Sequence, residues 1–447
     1  MKFVQRFKNS IIFVIALLMY LGCMVSLFAL LGLDHFSVVS LSRTSVVMAL
    51  TFILFGFVLV RTYGNFDVGI RKSRPIIISI SLAMVLDDIV TYLVLIIMNT
   101  NDENGRQIRF SSIGLLLLAM AVQVLVITVM TYLGNGFFFK VTLPERTLVI
   151  AGSDEEIKKV RAAVGLFDKR YEITGEAVLR DGALKQNIKD FDSVFIYDIS
   201  EKRRAELIKA CYKEKVSLYC FPYIEDILIH SSSQIMFADL PFYSSQFKGM
   251  TFEQRVAKRL MDIIISALML IVTSPILLIA AIAIKREDGG SVFFRQERAT
   301  INGRVFKIYK FRTMKENNKN KSVTKDDDRI TDVGKILRKY RIDELPQFIN
   351  IIKGDMSLVG PRPEMLENVR EYTEKLPEFS YRLRMKAGLT GYAQIMGKYN
   401  TSSRDKLILD LMYIEDFSIA ADIKLLLQTL TVLFTAEEST EGFDEQR

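Results

Sequence analysis

"IIISALMLIVTSPILLIAAIAI", residues 263–284, is an uninterrupted apolar run. It is long enough for one bilayer crossing, yet its flanks resist that reading. Arg255, Lys258 and Arg259 precede it, and Lys285, Arg286, Arg295 and Arg298 follow it, so both ends favour the cytoplasmic side. Ser274 and Pro275 stand at its middle. Proline removes a backbone donor and bends a helix, while a serine hydroxyl can satisfy a freed carbonyl. Each half, at about 1.5 Å per residue, reaches roughly halfway into a ~30 Å hydrocarbon core. The expectation is a re-entrant helix over 256–284, broken at Ser274 and Pro275, that enters the membrane and returns on the same face. A kinked fifth span would instead put the remaining domain outside the cell.

On the N-terminal side, four apolar stretches near 11–33, 44–62, 75–98 and 110–133 predict a four-helix transmembrane bundle over 1–140. The first lacks a small-residue cleavage site and is followed by further spans, so it reads as a retained helix, not a signal peptide. Lys2, Arg6 and Lys8 precede span one, Arg61, Arg71, Lys72 and Arg74 fill the loop after span two, and Lys140 and Arg146 follow span four. The other two loops carry fewer basic residues, which puts the N-terminus and everything after residue 140 in the cytoplasm. Asp87 and Asp88 fall in mid-span, where charge is costly; the alternatives are a functional site and packing against the bundle interior.

The whole chain, 447 residues, is half hydrophobic and one-quarter charged, with a net charge of +8. That balance suits a membrane-attached enzyme. With long apolar runs present, the basic excess points to lipid and phosphate, not nucleic acid. Three cysteines, Cys23, Cys211 and Cys220, form no CxxC pair and no disulfide framework. Only two histidines occur, far apart, so catalysis should rest on carboxylates, Lys, Arg or a hard metal ion.

From 145 to 245 the pattern becomes Rossmann-like α/β. "TLVIAG" (147–152), "DSVFIYD" (192–198) and "VSLYCF" (216–221) read as buried parallel strands, with helices near 154–168 and 200–214. The turn "AGSDEEI" has one glycine, and it places Asp154, Glu155 and Glu156 where a pyrophosphate would sit. A regulatory or dimerising role is expected ahead of dinucleotide binding.

The segment 250–436 is expected to be a mostly helical catalytic domain, followed by an acidic tail over 437–447. Lys310, Arg312, Arg329, Arg338 and Arg362 form a basic set able to clamp a diphosphate. In "RIDELPQFIN" (341–350), Asp343 reads as the N-cap of a helix with Pro346 in its first turn. It also reads as one of two carboxylates dividing labour at a phosphate site, one attacking phosphorus and the other holding Mg²⁺. Spacing alone leaves both open. Residues 404–434 are expected to form interfacial helices.

Eight ordered motifs then carry a resemblance: "KRLMD" (258–262), "SP" (274–275), "FRQER" (294–298), "KFRTM" (310–314), "DDRIT" (327–331), "DELPQ" (343–347), "GDMSLVGPRP" (354–363) and "GLTGYAQ" (388–394). The region from about 255 to 435 closely resembles the bacterial sugar transferase family, the monotopic polyprenyl-phosphate hexose-1-phosphate transferases. The whole chain is similar to long-chain members that initiate capsule, exopolysaccharide or O-antigen synthesis at the bacterial inner membrane. The resemblance implies a ping-pong transfer of hexose 1-phosphate from a UDP-sugar to undecaprenyl phosphate. It implies Asp343 as nucleophile, Glu344 as its partner and Mg²⁺ ligand, and Arg338 and Arg362 as phosphate contacts. Lys258, Arg259 and Asp262 match an interfacial motif expected to bind the lipid phosphate. Two positions depart from the family pattern, Ala299 and Ala387, both in loops. The middle domain is expected to form a homodimer surface. A membrane scaffold with an inactive C-terminal part is the competing reading, opposed by the intact acidic pair, KFRTM and PRP.

Overall fold

The computed structural model describes residues 7–63, 66–100, 107–179, 186–245, 247, 249–315, 329–396 and 402–434. The acidic tail and Lys2, Arg6, Asp327 and Asp328 lie outside the described residues. The chain forms two compact units, Met1–Phe221 and Pro222–Arg447. Residues 222–244 therefore belong with the C-terminal unit, although a boundary near 245 was expected.

The first unit opens with α1 (Lys8–Leu31), α2 (Arg43–Tyr63), α3 (Ser73–Met98) and α4 (Ile113–Val141), each long and apolar enough to cross a membrane. Cys23, Leu27 and Leu31 recur every fourth residue and pack into one core with Met48, Phe52, Ile80, Met84 and Ile127. The outward faces carry Phe13, Leu17, Phe57 and Leu125, exposed and equally apolar, as a lipid-facing helix requires. α4 runs past its expected end at 133 to Val141 and carries the buried Asn135. Its side chain accepts from Gly69 N (2.9 Å) and donates to Ser73 Oγ (2.8 Å), which ties down the α2–α3 connection.

A parallel sheet of order β2-β1-β3-β4 follows, from β1 (Glu145–Ala151), β2 (Tyr171–Val178), β3 (Ser193–Tyr197) and β4 (Ser217–Cys220). Helices α5 (Asp154–Gly165) and α6 (Glu201–Glu214) connect them as the pattern predicts. β2 escapes the sequence reading because it is partly exposed along its length and its apolar run is interrupted by Glu172, Gly175 and Glu176. At the end of β1, a Cβ on Gly152 would strike the Asp198 carbonyl. Burial pushes the Glu156 carboxyl up, as does its hydrogen bond to Asp198. The turn is closed by acids, which disfavours a pyrophosphate there.

The second unit begins with α7 (Ile224–His230) and an antiparallel hairpin of β5 (Ser233–Phe237) and β6 (Leu240–Ser244). α8 (Phe252–Asp288) starts from a capping box in which Thr251 Oγ1 accepts from Gln254 N (3.3 Å) and Gln254 Oε1 accepts from Thr251 N (2.9 Å). It ends on Gly289 at φ 71°. The expected break between two helices is corrected here: α8 is one continuous helix through Pro275. Pro275 offers no N–H to the carbonyl four residues earlier, and the Ser274 hydroxyl donates to that carbonyl, Ile271 O, at 2.7 Å. The serine repairs the bond whose loss would have ended the helix.

Beyond α8, a hairpin of β7 (Phe293–Ala299) and β8 (Val305–Phe311) leads to α9 (Asp332–Lys339), α10 (Gln347–Lys353) and the short β9 (Ser357–Val359). Then come α11 (Leu366–Lys375), β10 (Gly388–Thr390) parallel to β9, α12 (Ser403–Glu415) and α13 (Ile419–Phe434). The core joins Phe306 and Ile308 of β8 to Phe348, Ile351, Leu358, Tyr413 and Leu425. Both departures from the family pattern adjoin one buried residue, Thr300. Ala299 precedes it, and its hydroxyl accepts from Ala387 N (3.1 Å) while donating to Asp355 O (3.0 Å).

Candidate active site

The acidic pair sits on a turn held from both sides. α9 starts where Thr331 Oγ1 accepts from Gly334 N (3.0 Å). Gly334 is required there, since a Cβ would strike the Thr313 carbonyl. After α9 the chain reverses through Arg341 in the left-handed region (φ 53°), and Ile342–Glu344 form one 3₁₀ turn. Ile342 packs against Phe311 and Leu337, while Leu345 joins the main core, so the intervening Asp343 and Glu344 are held between two apolar anchors.

The N-cap expectation is corrected. Asp343 caps no α-helix; the N-cap of α10 is Pro346, and Asp343 lies inside the 3₁₀ turn that leads to it. Proline cannot donate, so the turn closes instead through Glu344 N to Arg341 O (3.2 Å) and Leu345 N to Ile342 O (3.2 Å).

Three cations of the expected set gather here. Lys310, on β8, donates to Glu344 Oε1 at 2.7 Å. Arg362 approaches the same oxygen at 4.0 Å while staying largely exposed. Arg338, in the last turn of α9, is hydrogen-bonded to Thr313 Oγ1 (2.9 Å) and acts on Asp343 through space. Burial and the neighbouring Glu344 push the Asp343 carboxyl up to about 6 against the pull of Lys310 and Arg338. Burial alone would raise Glu344 too, but Lys310 and Arg362 carry it down to about 2. One carboxylate is thereby made basic and the other is kept ionised.

The remaining expected residues lie elsewhere. Arg312 is buried; it donates to Asp288 Oδ2 and to Ser291 O, each at 2.6 Å, and so fastens the end of α8 instead of facing a substrate. Arg329 lies beside the bridge between Met314 and Ile330, its carbonyl accepting from Lys315 N (3.0 Å). Lys258 and Asp262 are also buried. Lys258 donates to Asp422 (2.5 Å) and Val359 O (3.0 Å); Asp262 accepts from Ser357 Oγ (3.0 Å) and Leu358 N (2.9 Å). Arg259 donates to the carbonyls of Ile351 and Ile352, both at 2.6 Å. These three bind α8 to the domain, Lys258 and Asp262 from buried positions. Ser274 and Pro275 lie mid-way along α8.

Residues 253–436 match the family model described as Bacterial sugar transferase. The UDP-glucose:undecaprenyl-phosphate glucose-1-phosphate transferase of Caulobacter vibrioides is 40% identical over 190 residues, covering 41% of this chain and 71% of that protein. The chain belongs to the bacterial sugar transferase family. The UDP-N-acetylgalactosamine-undecaprenyl-phosphate N-acetylgalactosaminephosphotransferase of Aeromonas hydrophila is 40% identical over 184 residues (40% of this chain, 44% of that one). A Klebsiella pneumoniae relative, named as the Caulobacter protein is, is 41% identical over 199 residues (43% and 42%). The chain thus spans less than half of these last two.

Two groups that sequence reasoning left unassigned complete this sugar transferase's site. Arg298, from the FRQER stretch, donates to Pro363 O (3.2 Å) and Gln296 Oε1 (2.6 Å); burial presses its guanidinium down to about 10, so it stays cationic at neutral pH. Arg382 is buried, paired with Asp410 at 2.7 Å, and donates to Arg362 O (2.7 Å), which fixes the loop carrying Arg362. Alternation offered a signal for the first: Gln296 and Arg298 are cross-strand partners of Ile308 and Phe306, on the hairpin face that also presents Lys310. Nothing local marked Arg382. Among the described residues no group of three or more His, Cys, Asp or Glu forms a metal cage. Two carboxylates alone fit Mg²⁺ only in the mode where substrate phosphates and water complete its oxygen shell.

Proposed function

We propose that this sugar transferase moves a hexose 1-phosphate from a UDP-sugar to undecaprenyl phosphate by a ping-pong route. The observation that carries this is the pair of neighbouring carboxylates with opposite proton affinities, set among Lys310, Arg338 and Arg362. Asp343, ionised above about pH 6, attacks the β-phosphorus of the UDP-sugar. A P–O bond forms to its carboxylate as the bond to UMP breaks, leaving an aspartyl phosphosugar. The phosphate of undecaprenyl phosphate then attacks the same phosphorus, forms the lipid diphosphosugar and frees Asp343. Lys310, Arg338 and Arg362 offset the charge on the phosphates, without which a carboxylate cannot approach phosphorus. Mg²⁺ held by Glu344 and the diphosphate would supply further charge neutralisation.

The polyprenyl acceptor stays in the bilayer, so the site must be held at its surface. Four N-terminal spans and a re-entrant α8 meet that need, with the catalytic domain on the cytoplasmic face of the bacterial inner membrane and the product feeding capsule, exopolysaccharide or O-antigen synthesis. Support for the re-entrant reading comes from both ends of α8 being fastened to one domain. Arg259 holds α10 and Asp288 holds Arg312 beyond β8, while Asn350 of α10 joins β8 by accepting from Tyr309 N (2.9 Å) and donating to Lys307 O (2.8 Å). A homodimer through the middle domain completes the reading. The relatives differ in the sugar they are named for, glucose or N-acetylgalactosamine, so a panel of UDP-sugars decides the donor.

The test uses UDP-sugar labelled in the sugar, without lipid acceptor. Wild-type protein takes up label covalently and releases UMP, and Asp343→Asn does neither. Unchanged turnover in Asp343→Asn would defeat the assignment.

A further inference from the structure

The proposed reaction makes no use of Asp87 and Asp88, at the middle of α3. Both are fully buried, and every other N-terminal helix abuts them. From α4, Gln123 donates through Nε2 to Asp88 Oδ1 (3.0 Å) and to Cys23 O of α1 (3.1 Å). On α2, a Cβ at Gly56 would strike the Asp87 carboxylate and the Tyr20 hydroxyl of α1, so the missing side chain makes room for both. The Tyr20 hydroxyl itself donates to Phe52 O (2.6 Å). The ionisable groups around the pair are thus Tyr20 and Cys23. No Lys, Arg or His occurs in residues 9–33, 44–60, 75–98 or 113–139.

The cluster is rich in acceptors and poor in donors. Both oxygens of Asp87, one of Asp88, Oε1 of Gln123 and the Thr91 hydroxyl are buried without a hydrogen-bond partner. Gln123 is 1% exposed, and its amide is directed at the pair by its bond to Asp88. Bare carboxylates in such an interior carry the large desolvation penalty of buried ions, and the Gln123 amide offsets little of it. Positive charge has to come from outside the chain. The nearest described cavity, of about 400 Å³, is lined by Tyr92, one turn along α3 from Asp88, with His35, Asn99 and Arg109.

We propose that Asp87 and Asp88, with Gln123 and Thr91, form a binding site within the N-terminal helices for a monovalent cation, either sodium or a proton. Two acids and neutral oxygens give hard ligands with little charge, which suits one small monovalent cation better than a divalent one. A cation that binds the folded helices and not the unfolded chain stabilises them, and for a proton that stabilisation grows as pH falls.

The experiment follows melting of purified full-length protein through the reaction of Cys23 with a thiol dye, in a Cys211→Ser, Cys220→Ser background. At fixed alkaline pH, replacing choline with about 100 mM sodium raises the melting temperature by about 2–4 °C if sodium is the ligand. In choline, lowering the pH raises it similarly if the ligand is a proton. Either response disappears in Asp87→Asn/Asp88→Asn. If that variant does not fold, Gln123→Leu replaces it and weakens the same response. Melting that ignores sodium and pH in the wild type, or responds equally in wild type and variant, overturns the proposal.

Discussion

Replacing Lys258 by methionine separates a clamp from a substrate contact. Lys258 and Asp422 form an ion pair with side chains 5% and 0% exposed, and Tyr413 also donates to Asp422 (2.7 Å). Lys258→Met keeps the bulk of the side chain but leaves Asp422 buried with only the tyrosine hydroxyl as partner. Removing one member of a buried pair costs about 3–5 kcal/mol, whereas replacing both by apolar groups is often close to neutral. Lys258→Met should therefore lose about that amount of stability in urea unfolding of the detergent-solubilised protein. Lys258→Met/Asp422→Leu should recover most of the loss, because Tyr413 can still donate to Val359 O (3.1 Å). Both half-reactions, UMP release and transfer to lipid phosphate, should survive in the double variant. A single variant that loses less than about 1 kcal/mol, or a double variant no more stable than the single, refutes the clamp. A stable double variant that forms the phosphosugar enzyme but fails to discharge it would return Lys258 to the lipid phosphate.

Three further outcomes follow from the same geometry. Because Asp343 must be ionised to attack and takes up its proton at about pH 6, single-turnover UMP release should fall about tenfold per pH unit below that value. Glu344, held down to about 2, should add no second limb above pH 4 or so. Lys310→Ala removes the 2.7 Å partner of Glu344 and a cation that draws Asp343 down. It should lower kcat/KM by about 10–100-fold, the value of a charge-assisted hydrogen bond, and move the acid limb to higher pH. Arg382→Ala strands Asp410 and releases the Arg362 carbonyl; a loss of about 3–5 kcal/mol in unfolding, with a raised KM for the UDP-sugar, is expected.

Much of the architecture is local in origin and so is legible in the sequence. The apolar spans, the buried strands β1 and β3, the half-buried β4 and the acids opening α5 follow from composition and period over a few residues. β2 was hidden because its sequence, YEITGEAV, breaks the apolar run with two glutamates and Gly175. At the Ser274–Pro275 step the chemistry was read correctly and the expected helix break was not: the serine satisfies the freed carbonyl, and the helix continues.

By itself the sequence determined which residue types stand where: an acidic pair, a family of ordered motifs around it, and charges at the rims of apolar helices. Only the tertiary structure decided what each charge does. Lys258 and Arg312 look like Lys310 and Arg362 in one dimension, yet the first two meet partners that bury them, and the last two remain beside Glu344. A charge becomes a clamp where its partners bury it, as Lys258 and Arg312 are buried, and stays a contact where it keeps exposed surface, as Lys310 and Arg362 do. For Lys258 that partner is 164 residues away along the chain, where no local pattern can report it.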